Sequence, residues 1–166
     1  MTQTKDSIAV ELMRIEEDCT HSSKAHFNAA ERWSGYHYCL GIPCVVISSL
    51  AGIAIFKEYP IFTSLMAILV AILTALITFL KPSEIASGHN ASGTLYLTLK
   101  GDARKFRTVD LDIERDDKIL SHRLNEFTER RNNLNTNSRQ FSKSDFLKAK
   151  AGIDAGESQY EIDKIK

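Results

Sequence analysis

The sequence predicts an all-α fold: an integral membrane helical hairpin of two transmembrane helices, with long cytosolic N- and C-terminal helices that form a bundle. Three observations predict it. Charge is segregated, since from Ser34 to Leu80 the only charged residues are Lys57 and Glu58. Those two residues separate two uncharged runs, Cys39 to Phe56 (18 residues) and Tyr59 to Leu80 (22 residues). Outside the runs, apolar residues recur at alternating steps of four and three, the spacing of a helix with one buried stripe. The expected organisation is a single domain, with a cytosolic helix over 1–37, a first span over 38–56 and a short hairpin loop over 57–60. A second span follows over 61–80, then cytosolic helices over 81–166.

The average composition hides this arrangement. Hydrophobic residues make up 43% and charged residues 25%, and mean hydropathy is −0.18. Lys+Arg 21 balances Asp+Glu 21, so the chain lacks the basic excess that general nucleic-acid binding requires, and no direct nucleic-acid binding is expected. Eight Gly and three Pro argue against a disordered or fibrous chain. The three cysteines, Cys19, Cys39 and Cys44, are odd in number and form no CxxC, which favours small apolar filler over a disulfide framework or a zinc site. No cleavable signal peptide is expected, because the first apolar run begins near residue 38 behind a long charged stretch.

The polar N-terminal stretch reads as one helix running into the first span. Ile8, Leu12, Ile15, Cys19, Ser22, His26, Ala29 and Trp33 trace its seam, strong at the start and weak around Ser22 and His26. Trp33, Tyr36 and Tyr38 cluster just ahead of the apolar run, and Tyr59 follows it on the far side. Amphipathic rings at these places favour the headgroup level and are candidate interfacial anchors. The runs themselves would be roughly 27 and 33 Å long as helices, matching a hydrocarbon core of about 30 Å. The second holds twelve Ile, Leu, Val or Phe and should insert unaided. The first holds nine and is offset by Gly41, Pro43, Ser48, Ser49 and Gly52, so it depends on its partner. Pro43 either kinks the first span or marks where the cytosolic helix meets the membrane.

Small residues mark the expected helix contacts. Ala67, Ala71 and Ala75 make a low ridge on the second span, and Ser48 and Gly52 make one on the first. Such surfaces let backbones approach closely in lipid, either within one hairpin or between protomers. Ser48, Ser49, Thr74 and Thr78 are the candidates to face a lumen, unless their hydroxyls bond back to their own helix carbonyls. Of the 21 Lys and Arg only Lys57 lies in the turn, so the positive-inside bias places both termini in the cytoplasm.

After the second span, Lys81-Pro82-Ser83-Glu84 predicts a brief break and a helix to about Arg107, its regularity weakened by Gly88, Gly93 and Gly101. A further helix is expected from near Val109, with a seam of Ile113, Leu120, Leu124, Phe127 and Leu134. Asn132 to Ser142 reads as a polar linker. Lys143 to about Ala155 reads as a short helix stopping near Gly156.

No catalytic constellation is present: GxxxxGK[ST], GxSxG, HExxH and GxGxxG are all absent. Glu17 and His21 stand one turn apart, but two ligands do not make a metal site. His89 reads as a helix-surface residue. The acidic stretch Asp110 to Asp117 reads as a solvated helix start favoured by the dipole. Arg104, Lys105 and Arg107, or Arg130 and Arg131, read as solvated basic faces or as a site for lipid headgroups or a phosphorylated ligand. The spans carry no carboxylate or base of the kind an ion-coupled transporter needs. No catalytic residue, no metal and no cofactor is expected, and the chain does not read as an enzyme.

The order of features resembles a known family. A cytosolic helix reaches Arg32-Trp33, and a span follows with Leu40-Gly41-Ile42 and Ser48-Ser49-Leu50-Ala51-Gly52. A very short turn leads to a second span that leaves at Phe79-Leu80-Lys81-Pro82-Ser83-Glu84, with His89 after it. The long tail carries Ala149-Lys150-Ala151, Tyr160 and Asp163. Over nearly its whole length the chain resembles the SLATT family, two-span membrane domains associated with SMODS nucleotidyltransferases and SLOG sensors in bacterial conflict systems. The resemblance implies an oligomeric effector of antiviral defence in the bacterial inner membrane that forms a pore or otherwise compromises the bilayer. Its implied trigger is a sensor partner working through a nucleotide second messenger or a reverse transcriptase. The alternative is a non-conducting anchor that recruits a cytosolic partner.

Overall fold

A computed structural model describes residues 3–51 and 59–160, and every regular element among them is helical. In chain order these are α1 (Gln3–Ala51), α2 (Pro60–Leu80), α3 (Pro82–Lys105), a π-helical turn (Phe106–Asp110), α4 (Leu111–Ile113), α5 (Asp117–Asn137) and α6 (Lys143–Asp154). The chain divides into two compact units, one of Met1–Ala29 with Gly88–Lys166 and one of Ala30–Ser87. Lys57, Glu58 and Gly52, on which the expected hairpin loop and one packing ridge rest, lie outside the described residues, as does the end of the expected first span.

The first unit is a helical bundle with one apolar core. Ile8, Leu12, Ile15 and Cys19 of α1 meet Tyr96, Leu99 and Ala103 of α3, Phe106, Leu111, and Leu120 and Phe127 of α5. The four-three seam of α1 is therefore the core stripe, and it continues through His26 and Ala29, both buried. A second stripe was not anticipated: within this unit His89, Gly93, Tyr96, Leu99 and Ala103 are the buried positions of α3, again in steps of three and four, and Phe106 of the π turn continues it. Gly93 permits the close approach of α1. A Cβ there would stand 2.8 Å from the Phe27 ring, inside van der Waals contact.

Two boundaries differ from the expected ones. The helix expected from Val109 starts at Asp117, because residues 106–110 form a π turn and Glu114 is extended. The Glu114 carboxylate accepts the backbone N–H groups of Arg115 and Asp116, and Asp116 caps α5 by accepting from the Lys118 N–H at 2.8 Å. Ile113 therefore falls outside the α5 seam and is 73% exposed. The stretch Asn132 to Ser142 is not all linker, since α5 continues to Asn137. Leu134 packs against the core and Asn135 accepts the Tyr96 hydroxyl at 2.8 Å, which holds these turns helical. The α6 boundary agrees with expectation: Ser142 and Asp145 make a reciprocal capping box, and Gly156 follows at φ 89.

The second unit contains α2, which is the described helix long and apolar enough to cross a membrane. Its apolar 18-residue window has a hydropathy of 2.5 and no buried residue. It begins at Pro60, whose missing N–H costs nothing at a first helical position. It ends on Lys81 in the left-handed conformation (φ 46, ψ 51), the one non-glycine residue with positive φ among those described. A side chain in this region costs roughly 1–2 kcal/mol. The Lys81–Glu84 ion pair at 3.0 Å is exposed and returns little of it. Lys81→Gly is expected to raise stability by about 1 kcal/mol in detergent thermal denaturation. A clear loss on this substitution would show that the ion pair, rather than the backbone, governs the exit.

Candidate functional site

The sequence points to the surface of the second unit, and the geometry sorts its residues into two faces. Partly covered positions recur on α1 at His37, Leu40, Cys44 and Ile47, and on α2 at Thr63, Met66, Val70, Leu73 and Ile77. These trace the sides the two helices turn toward each other. A polar contact joins them, Cys44 Sγ to Thr74 Oγ1 at 3.3 Å. Sequence reasoning gave Cys44 only a filler role, and nothing in its local spacing marks Thr74 as its partner.

The ridge of Ala67, Ala71 and Ala75 lies on a different side of α2 and is exposed throughout. At 100° per residue it is displaced by roughly a third of a turn from the side that meets α1. The ridge is therefore not the α1–α2 contact. Ser48 is likewise exposed, while its intended partner Gly52 lies outside the described residues. The large apolar side chains of α2 are bare as well, with Ile61 78%, Leu65 60% and Phe79 86% exposed. A surface of this kind requires a non-aqueous neighbour.

The candidate lumen residues divide in the same way. Ser48 and Ser49 donate back to the Cys44 and Val45 carbonyls at 2.7 and 2.8 Å, and Thr78 donates to Thr74 at 2.8 Å. Their hydroxyls thus satisfy themselves on their own helices, leaving oxygen lone pairs as the polar surface they present. Thr74 instead reaches across to Cys44. Of the residues expected as interfacial anchors, Trp33, Tyr36 and Tyr38 lie near the start of this unit and Tyr59 just before α2. The Trp33 and Tyr36 rings meet edge to face at 5.5 Å, and the Arg32 guanidinium lies 5.5 and 5.7 Å from their centroids. Tyr38 and Tyr59 are 62% and 63% exposed.

In the first unit the basic groups are largely engaged internally. Arg107 grips Glu16 with two hydrogen bonds, Nε at 2.6 Å and Nη2 at 3.2 Å, and this carboxylate raises the arginine's already high pKa. Arg130 pairs with Asp102 at 2.8 Å, Arg131 with Asp18 at 3.2 Å, and Arg104 lies 4.3 Å from the Tyr160 ring centroid. Lys24 pairs with Glu157. Arg130 and Lys105 are exposed, as the reading of solvated basic faces expects, whereas Arg107 and Arg131 are partly covered and paired. Only 12% of the Glu16 side chain is exposed, so Glu16→Ala leaves Arg107 half-buried without its partner. A loss of about 1–3 kcal/mol in urea denaturation is expected. An unchanged midpoint would show that water replaces the pair at no cost.

Next to the π turn lies a groove of about 420 Å³ lined in part by Lys105, Phe106, Ile113, Ile119 and Phe127. The Phe106 and Phe127 rings, 5.5 Å apart, contribute apolar lining, and Ile113 and Ile119 present bare apolar surface beside them.

Two buried groups in this unit have strongly displaced protonation. Burial, reinforced by Asp18, pushes the Cys19 thiol up to about 12, so it is an inert core group. His89, read from sequence as a surface residue, is 2% exposed and faces His26, which is 1% exposed. Their Nδ1 atoms stand 3.0 Å apart. His26 also stacks on Tyr96, with centroids 5.5 Å apart, and meets Phe141 edge to face at 5.1 Å. Burial, and then the neighbouring His89, hold His26 down to about 4. The four-three spacing of α3 is the signal that places His89 inside. Among the described residues no group of three or more His, Cys, Asp or Glu is arranged to hold a metal ion. No protein-family model, curated protein or solved structure matches this chain.

Proposed function

We propose that this chain is a homo-oligomeric membrane effector of the SLATT kind, acting in prokaryotic defence by opening a pore or otherwise breaching the inner membrane. The observation that carries the reading is α2: a long apolar helix with no buried residue and an exposed alanine ridge that its own α1 leaves unused. In lipid, where apolar burial gives helices little reason to associate, such a ridge supports close contact between protomers. In this reading α1 from residue 38 and α2 form a two-span hairpin, both termini are cytoplasmic, and the chain performs no catalysis and holds no cofactor.

The bundle of the first unit serves as the receiver. A sensor partner, itself responding to a nucleotide second messenger or a reverse transcriptase, engages it and rearranges the spans. The groove beside the π turn, with Ile113 and Ile119 bare, supports this role. Dye and ion leakage from liposomes carrying the full-length protein, with its mass measured in detergent, tests the reading. Leakage from a defined oligomer is the expected result. A tight membrane in every state, combined with stable binding of a cytosolic partner, would replace the effector with a non-conducting anchor.

A further inference from the structure

We propose that the buried His26–His89 pair is a proton-operated latch: proton uptake by its facing imidazoles releases α1 from α3 and opens the helical unit in acid. This inference is independent of whether the second unit forms a pore.

The geometry allows one bonding pattern per charge state. With both rings neutral, one Nδ1 carries hydrogen and donates to the lone pair of the other across 3.0 Å. Across this contact the two rings take complementary tautomers. A first proton can be shared across the same contact, but it places a charge at a site that water does not reach. A second proton puts two N–H donors face to face at that distance, and the contact cannot survive. The two rings belong to different helices, His26 to α1 and His89 to α3, so the contact ties one element to the other.

The surroundings fix the sense of the response. Among the described residues, the titratable or charged groups on the elements that carry or flank the pair include Tyr96 of α3, Arg139 from the segment before α6, Asp145 of α6, and His21 and Lys24 of α1. Tyr96 stacks on His26 and gives its hydroxyl to Asn135. Burial raises the pKa of its phenol, so it stays neutral across this range. Arg139 runs alongside Gly88, the residue before His89, its Nε 3.7 Å from where a Cβ would stand. The Asp145 carboxylate accepts from the Ser142 hydroxyl and backbone N–H at 2.7 and 3.0 Å. His21 contacts Phe146 at 6.0 Å between centroids, and Lys24 is paired with Glu157.

His26 is held at about 4 when closed, against an ordinary imidazole value of 6.5 when exposed. The open state therefore binds more protons between these values. The closed state keeps its full advantage above pH 6.5 and loses it as pH falls toward 4. The opening equilibrium should shift by roughly 10²- to 10³-fold over that window.

Cys19 reports the opening, since it is fully buried in the same seam. Full-length protein in lipid nanodiscs is pulsed with a disulfide reagent that reacts in acid, and the Cys19 peptide is quantified by mass spectrometry relative to glutathione. The expected result is a rise in relative labelling of at least tenfold from pH 7 to pH 4.5, absent in the His26→Asn, His89→Asn double variant and retained in His122→Gln. A rise that persists unchanged in the double variant overturns the latch. Histidine-ring NMR titration of the wild type needs no variant: one imidazole of the pair should remain neutral below pH 5. Both rings titrating near 6.5 overturns the proposal.

Discussion

Ala71→Leu is expected to cut liposome leakage by about tenfold or more while leaving membrane insertion intact. The ridge of Ala67, Ala71 and Ala75 is exposed, and its side chains are single methyl groups. A leucine at the middle position forces apart any helix that packs there. In lipid no hydrophobic gain offsets the separation, since helix association there rests on close packing. Insertion itself is not weakened, because leucine favours the bilayer by roughly 0.3–0.6 kcal/mol. Leu65→Ala serves as the matched control. It lies about 120° around the helix from Ala71 and is 60% exposed, so it should change neither leakage nor oligomer mass. Leakage that persists in Ala71→Leu at equal protein per vesicle would remove the ridge from the pore, and with it the main support for protomer packing through α2.

The same contrast shows what sequence could and could not reveal. The uncharged run ending at Leu80 specifies α2 almost to the residue, because apolar length and an N-terminal proline are local facts. The α1 stripe of Ile8, Leu12, Ile15 and Cys19 was legible for a related reason, since its period is carried by large apolar residues. The α3 stripe was not. It is built from His89, Gly93 and Ala103 between Tyr96, Leu99 and Phe106, and glycine reads as a helix weakener until the Phe27 ring is seen against it. His89 looked like surface because its partner lies 63 positions away in sequence and no local pattern carries that pairing. The start of α5 was misplaced because an acidic run offers several plausible caps. The choice among them was made by the π turn, whose one extra residue per turn shifts the register before Glu114. Which side of α2 carries the ridge depends on where α1 packs, again a tertiary fact.

The core of the first unit permits a prediction that does not depend on any membrane reading. Leu99→Ala should destabilise that unit by about 2–5 kcal/mol, the range for removing a fully buried leucine from a packed core. Leu99 has no exposure and belongs to the cluster that joins α1, α3 and α5. Removing its branched end leaves a void lined by groups held by three different helices, which cannot all close on it. A domain of this size has roughly 5–15 kcal/mol of stability in total, so the loss is a large fraction. It should lower the melting temperature by roughly 10 °C or more. Leu97, two residues away, is 48% exposed, and Leu97→Ala should stay within about 0.5 kcal/mol. The single tryptophan, Trp33, belongs to the second unit, so its fluorescence reports that unit separately from the far-ultraviolet signal of all the helices. Early loss of helical signal with Trp33 fluorescence unchanged would place the damage in the bundle. Equal effects of Leu99→Ala and Leu97→Ala would mean that the α3 stripe faces elsewhere, and the His26–His89 latch would lose its setting with it.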